Sequence, residues 1–221
     1  MKKLILTASV LGLLGFATFV HASTIGPSCG SCLGSIYTLT YSTTANPNAF
    51  DVFLKIDATG FTGGNNDFLN AVSLKLASSD SDYASVPHLI APIPTGFSGG
   101  TGGTVTGGLS AAGCDGSGGG FFCSQSSGLG LQVAHTGDIY TFEWLVTMTS
   151  ASELLTGVNA ASVKALYVNN AGQQNGITSE AITLDPVPPS VPEPSSLLLL
   201  GTGILSAAGL LRRRVALAFR T

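Results

Sequence analysis

Hydrophobic and polar residues alternate along much of the middle of this 221-residue chain. This period of two is typical of half-buried β-strands. The segments that show it are Ser35–Thr43, Phe50–Asp57, Phe68–Ala77, Ile139–Met148 and Ser162–Asn169. Helical periodicity is weak, and only Thr149–Ala160 has the pattern of one or two helical turns. Strands at this spacing predict an all-β domain, an antiparallel β-sandwich that is jelly-roll-like.

An apolar run without this alternation opens the chain. Two lysines precede Leu4–Val20, and the small residue Ala22 follows. That order is typical of a secretory signal peptide, so we predict a signal-peptide helix over residues 1–22 and cleavage between Ala22 and Ser23. A membrane helix that is not removed is the alternative. Cleavage implies passage through the Sec export machinery and signal peptidase.

A proline-rich stretch and a second apolar run close the chain. Residues 185–194 contain five prolines, which favour an extended backbone, so we expect a stiff linker after a folded domain over 23–184. The next 17 residues, 195–211, carry no charge, and eight of them are Leu or Ile. As a helix they would span about 25 Å, close to the ~30 Å core of a bilayer. We therefore predict a single transmembrane helix.

Three arginines, Arg212, Arg213 and Arg214, follow this apolar run. Positive charge favours the cytoplasmic side of a membrane. The tail over 195–214 and the short extension 215–221 are therefore predicted to end in the cytoplasm, with the folded domain outside.

The order of Pro192-Glu193-Pro194, an apolar segment and an arginine cluster resembles the PEP-CTERM sorting signal of Gram-negative bacteria. The resemblance implies recognition by an exosortase, a membrane cysteine protease that cuts near the motif and releases the domain outward. It also implies transient anchoring in the inner membrane, then a location at the cell surface or outside the cell. Proteins with this signal often accompany exopolysaccharide gene clusters. The extension 215–221 departs from the usual pattern, which stops soon after the arginines.

The region between the two ends also resembles uncharacterised PEP-CTERM proteins. The stretches that carry this likeness are "GCDGSGGGFFC" and "VKALYVNNAGQQNGITSEAITL". The likeness implies no particular activity.

The charge of the exported region excludes some partners. Residues 23–192 hold three lysines, no arginine and eleven acidic residues, a formal charge of −8 (3 − 11). Nucleic-acid binding requires lysine and arginine to neutralise phosphates. We therefore expect no nucleic-acid partner and no adhesion to an anionic membrane surface.

The exported region has four cysteines, Cys29, Cys32, Cys114 and Cys123. An oxidising compartment favours disulfides. Pairing between sequence neighbours, Cys29–Cys32 and Cys114–Cys123, is one interpretation, and pairing across the two groups is the alternative. The second local bridge would tether a stretch from Gly96 to Gly137 in which 15 of 42 residues are glycine. That composition predicts flexible loops or tight turns.

Catalytic and metal-binding motifs are incomplete. The stretch "GPSCG" lacks the strand and helix that a nucleophile elbow needs. The overlapping "CGSC" lacks the context of a cysteine protease or a redox motif. Two acidic pairs, Asp80 with Asp82 and Asp57 with Asp67, could bind Ca²⁺, but they follow no EF-hand pattern, and solvated turns are favoured. We predict no enzyme activity and no catalytic, metal-binding or cofactor-binding residues.

Aromatic residues give weak support to sugar binding. Trp144 and Tyr140 are assigned to one strand face and Phe142 to the other. They would form either a sugar-stacking platform or, as is usual for a tryptophan on a central strand, part of the core. Phe121 and Phe122 either contact a partner from a loop or pack back onto the sheet, which is favoured.

The sequence therefore predicts a non-catalytic exported protein of the cell surface or extracellular matrix. A carbohydrate-binding module with exopolysaccharide as its ligand is the alternative, and a secreted hydrolase is the second alternative.

Overall fold

A computed structural model describes residues 22–64, 66–90, 96–97, 104–116, 118–133 and 138–187, all in one unit that ends at Val187. The strands in these ranges are β1 (Thr24–Ile25), β2 (Ile36–Thr43), β3 (Ala49–Asp57), β4 (Phe68–Lys75), β5 (His88–Leu89), β6 (Thr104–Thr106), β7 (Gly108–Ser110), β8 (Gly113–Gly116), β9 (Phe121–Gln125), β10 (Leu131–Gln132), β11 (Ile139–Thr147), β12 (Ala161–Val168), β13 (Gln174–Ile182) and β14 (Asp185–Pro186). Two short 3-10 turns, Asp80–Asp82 and Ala151–Glu153, complete the assigned elements in these ranges.

Two six-stranded sheets form the body of the fold. The first sheet has the order β1-β2-β3-β11-β5, and β14 also pairs with β2. The second sheet has the order β13-β12-β4-β9-β6, and β10 pairs with β4. Strands β7 and β8 form a separate hairpin. The pairings are antiparallel except that of β14 with β2, which is parallel. The prediction of an all-β, mostly antiparallel sandwich is confirmed, and the jelly-roll-like order stays a prediction.

The alternating pattern of the sequence puts one face of each sheet into a common core. Val52, Leu54 and Ile56 of β3 are fully buried, as are Val163 and Tyr167 of β12, and they belong to one hydrophobic cluster. Because successive strand residues point to opposite faces, every second position supplies the core. The prediction of half-buried strands over Phe50–Asp57 and Ser162–Asn169 is confirmed.

Aromatic rings fill the centre of this core. The Trp144 ring from the first sheet meets the Phe122 ring from the second, with ring centres 5.7 Å apart. The indole N–H of Trp144 donates a hydrogen bond of 2.9 Å to Ser124 Oγ. Because this hydrogen bond pairs the buried indole N–H, the ring avoids the desolvation cost of an unpaired donor.

The face assignment of Phe142 was wrong. Residues 140, 142 and 144 differ by steps of two, so they share one face of β11. Phe142 stacks on Trp144 with ring centres 5.6 Å apart and an interplanar angle of 15°. Both rings are fully buried in the core. They are therefore core residues, and the interpretation as a sugar-stacking platform is wrong for this pair.

A buried hydroxyl network joins the two sheets near the amino-terminal loop. The Tyr37 hydroxyl is hydrogen-bonded to that of Tyr167 at 2.7 Å and to Thr178 Oγ1 at 2.8 Å. The Thr178 hydroxyl donates to the carbonyl of Ser31 at 3.0 Å. Burial, followed by the neighbouring Tyr167, raises the pKa of Tyr37 well above its ordinary value, and burial also raises the pKa of Tyr167.

The fold continues past the predicted start of the linker. Asp185 and Pro186 form β14, and the backbone N–H of Val187 donates to the Tyr41 carbonyl at 2.7 Å. A proline is tolerated on such an edge strand because its missing N–H need not enter the ladder. The paired segment therefore extends at least to Val187, past the predicted boundary at Leu184.

Several predictions lie outside the described residues. They are the signal-peptide helix apart from Ala22, the transmembrane helix over 195–211, the sorting residues Pro192, Glu193, Pro194, Arg212, Arg213 and Arg214, and the extension 215–221. In the ranges given above, no helix combines the length and the apolar character that crossing a bilayer requires.

Candidate functional site

The outer face of the second sheet, which points away from the common core, carries a second, smaller hydrophobic cluster. Leu109 of β7 belongs to this cluster together with Ala71, Cys123, Leu166 and Val168. The hairpin of β7 and β8 thus covers part of this face. The glycine-rich sequence that was predicted to form loops or turns therefore includes paired strands.

A disulfide holds this hairpin in place. Cys114 of β8 is bonded to Cys123 of β9, with their Cα atoms 5.5 Å apart. The N–H of Cys114 also donates to Gln125 Oε1 at 3.0 Å. Gly113 has a φ of +115°, and a Cβ there would lie 2.5 Å from that same oxygen. The positive φ favours glycine at this point, where the hairpin approaches the sheet.

Two lysines and a phenylalanine lie on the outer face beside the hairpin. The Nζ atoms of Lys164 and Lys75 are 4.7 Å and 5.9 Å from the centre of the Phe121 ring. Phe121 is partly exposed, whereas its neighbour Phe122 is buried in the core. These three residues are called the Lys–Phe patch below. The patch concentrates two of the three lysines of residues 23–192 on one face.

Sequence reasoning missed this patch because its members are distant along the chain. Phe121 of β9 lies opposite Lys75 of the neighbouring strand β4. Lys75 in turn lies opposite Ser162 of β12, two positions before Lys164. The sequence assigns Lys75 and Lys164 to two separate strands and predicts no strand at Phe121. Only the order β12-β4-β9 brings the three side chains together.

The second disulfide joins Cys29 to Cys32, with Cα atoms 5.3 Å apart. Local pairing is therefore found at both cysteine groups, and the cross-group alternative is wrong. Between the two cysteines, the Ser31 hydroxyl donates to Glu180 Oε1 at 2.7 Å. The N–H of Ser179 donates to Ser31 Oγ at 3.0 Å. The loop is thereby attached to the edge strand β13.

The acidic residues that were considered for Ca²⁺ binding take part in turn contacts. Asp57 Oδ1 accepts from the Thr59 hydroxyl at 2.6 Å, and the hydrogen bonds from Thr59 lower the pKa of Asp57. Asp80 Oδ1 accepts from the N–H of Gly120 at 2.6 Å. The part of the chain that the structure describes holds no group of three or more His, Cys, Asp or Glu side chains placed to bind a metal.

The other two acids of these pairs behave similarly. Asp82 Oδ2 accepts from the N–H of Ser79 at 2.9 Å and caps a 3-10 turn. Asp67, which is buried, accepts from the N–H of Gly64 at 2.7 Å and from the side-chain amide of Asn175. Asp82 therefore lies in a turn as expected, whereas Asp67 is buried rather than solvated.

Comparison with protein families finds the PEP-CTERM protein-sorting motif over residues 190–214. This chain carries a PEP-CTERM sorting motif. The matched range contains the Pro-Glu-Pro tripeptide and all three arginines, so the resemblance seen in the sequence is confirmed. The PEP-CTERM motif supports an exported protein that passes through a membrane-anchored stage and has an exosortase as its processing partner.

The remaining comparisons are distant. No curated protein matches this PEP-CTERM chain. One match among solved structures is an inactive mutant of the GH20 exo-β-N-acetylglucosaminidase from Vibrio harveyi, at 10% identity and a TM-score of 0.30. The alignment covers 69% of this chain and 18% of that enzyme. The chain thus spans less than a fifth of the enzyme, and a likeness this small has no bearing on function.

Proposed function

We propose that this protein is a non-catalytic component of the cell surface or extracellular matrix, delivered there by its PEP-CTERM tail. The observation that carries the proposal is the sorting motif over residues 190–214. This motif supports export of the sandwich. Within the sandwich, four carboxylates accept hydrogen bonds that stabilise turns or loops: Asp57, Asp80, Asp82 and Glu180. Such contacts support a structural role for these carboxylates.

Delivery is tested in the host by removing residues 190–214. We expect the shortened protein to disappear from the surface and matrix fractions while it is still exported across the inner membrane. The matched control removes only the extension 215–221, which lies outside the motif, and should leave the distribution unchanged. Equal surface amounts of the full and shortened proteins would contradict the proposal.

A second candidate function is the binding of an acidic exopolysaccharide. The Lys–Phe patch is the observation that favours it. Lysine ammonium groups suit carboxylate or sulfate substituents, and an aromatic ring suits the apolar face of a sugar. Affinity electrophoresis in the host's own polysaccharide tests this, with Phe121→Ala and Lys164→Met as variants. Lys55→Met, on the first sheet, is the matched control. A wild-type protein whose mobility the polysaccharide does not retard excludes this candidate.

A carboxyl pair gives the competing hydrolase function its sharpest test. Asp51 and Glu143 lie on adjacent strands, β3 and β11, where Asp51 pairs with Leu145 and Glu143 with Phe53. Burial, followed by the charge of Asp51, raises the pKa of Glu143. Glycosidases use an acid with a raised pKa and a second carboxylate, which flank the scissile bond, so this pair is the one to test. Polysaccharide hydrolysis that Glu143→Gln abolishes would refute the non-catalytic proposal.

A further inference from the structure

We propose that Asp185 is a binding site for the α-ammonium group that cleavage before Ser23 would create. The ion pair would fasten β14, the strand that leads into the sorting motif. This inference rests on the proposed function, because it needs an exported and processed chain.

The two ends of the folded unit meet on one strand. Strand β1 pairs with the first part of β2, where Thr24 opposes Thr38. Strand β14 pairs with a later part of β2, where Asp185 opposes Thr40. The other edge of β2 is occupied by β3. Strands β1 and β14 therefore follow one another along the same edge of β2.

A direct contact links these ends. The backbone nitrogen of Ser23 donates a hydrogen bond to Asp185 Oδ2. Ser23 is also the residue at which the signal-peptide pattern places the new amino terminus. The atom that contacts the carboxylate is therefore the atom whose charge changes on cleavage.

Cleavage would convert a neutral donor into a charged one. In the uncut chain the nitrogen of Ser23 is an amide with one N–H. After cleavage it is an α-amine whose ordinary pKa is about 7.7–8.0, so it is mostly protonated at pH 7. A hydrogen bond between an ammonium group and a carboxylate is roughly twice as strong as a neutral one. The same geometry would thus hold more firmly after processing.

The position of β14 gives this contact a consequence for sorting. Val187 is hydrogen-bonded to the Tyr41 carbonyl at 2.7 Å, and only residues 188 and 189 separate it from the matched motif. An ion pair at Asp185 would therefore hold the chain to the domain just before the sorting motif that the exosortase recognises. Because β14 precedes the motif, the strand would also stay with the domain after the tail is removed.

Hydrogen exchange at the Val187 amide tests the site directly in the processed protein recovered from the host. One sample keeps its free α-amine, and a second is acetylated at that amine near pH 6.5, where the lysines stay protonated. We expect exchange at Val187 to be about two- to five-fold slower in the free-amine sample, as for an exposed ion pair. Asp185→Asn should abolish the difference, whereas Asp51→Asn, on the outer face of the same sheet, should preserve it.

Equal exchange in the two samples, or a difference that survives Asp185→Asn, would overturn the proposal, as would an amino terminus other than Ser23. Intact mass measures whether the tail has been removed, and cell fractionation measures delivery to the surface. Normal tail removal with no effect at Val187 refutes only the ammonium site. A retained tail with the effect present refutes only the proposed delivery.

Discussion

The two faces of the second sheet are built from the same strands but are stabilised differently. The inner face meets the first sheet through large buried side chains such as Trp144, Phe122 and Tyr167. Among the described residues, the outer face has a cluster of five buried side chains under a glycine-rich hairpin, which the Cys114–Cys123 disulfide tethers. The large aromatic core is stabilised mainly by its buried area, whereas a disulfide holds the hairpin that covers the small cluster.

Neighbouring phenylalanines allow the sharpest test of this comparison, because Phe121 and Phe122 point to opposite faces. We expect Phe122→Ala to lower the free energy of unfolding by about 3–5 kcal/mol, through lost burial and a cavity. Phe121→Ala should cost about 1 kcal/mol or less because its ring is partly exposed. Urea denaturation of both variants measures the difference. Similar losses for the two would show that the faces are energetically equivalent.

Removing the tether should give the next largest effect. The Cys114–Cys123 bridge closes a loop with a sequence separation of 9. Its loss in the double variant Cys114→Ala, Cys123→Ala should cost about 2–3 kcal/mol, mainly by freeing the unfolded chain. Limited proteolysis should then cut within residues 108–116 before it cuts the sheets. A hairpin that stays protected without the bridge would contradict the tether.

Alkaline pH should act through the inner face. Burial raises the pKa of Tyr37 and Tyr167 in the folded state above the unfolded value of about 10. Their neutral forms therefore support folding below pH 10, and stability falls as the pH rises further, by about 1.4 kcal/mol per unit for each tyrosine. Denaturation curves between pH 8 and pH ~12 measure this slope. Tyr37→Phe should make it shallower, and an unchanged slope would count against this network.

The Lys–Phe patch should make the smallest contribution. Lys164→Met should lower stability by only about 0.5 kcal/mol, since an exposed cation–π contact is weak. Lys55→Met is the control on the first sheet, and urea denaturation compares the two. A loss of several kcal/mol at Lys164 would mean that the patch supports the fold rather than remaining free to bind a ligand.

The sequence predicted the inner face well. The alternating segment Phe50–Asp57 is a strand whose Val52, Leu54 and Ile56 are buried, because alternation follows directly from strand geometry. It did not predict the outer face, since the Lys–Phe patch depends on which strands are neighbours. The hairpin was also predicted wrongly, because residues 108–116 have the glycine content of a loop although they form two paired strands.

The end segments were read from the sequence without any structure. The order of Pro192, Glu193, Pro194, apolar residues and arginines identified the tail because a sorting signal is read as a linear pattern. The contact between Ser23 and Asp185 could not be foreseen in this way. It joins residues 162 positions apart and depends on both end strands pairing with β2.

The central claim is that the two end segments serve delivery and the sandwich between them is what remains outside the cell. The intact mass of the protein recovered from the host's surface tests it most directly. The account predicts a chain that begins at Ser23 and ends near Pro192–Pro194. Its two disulfides should make it lighter by four hydrogens than the same chain with reduced cysteines. A surface form that still carries residues 1–22 or extends through Arg214 would contradict it.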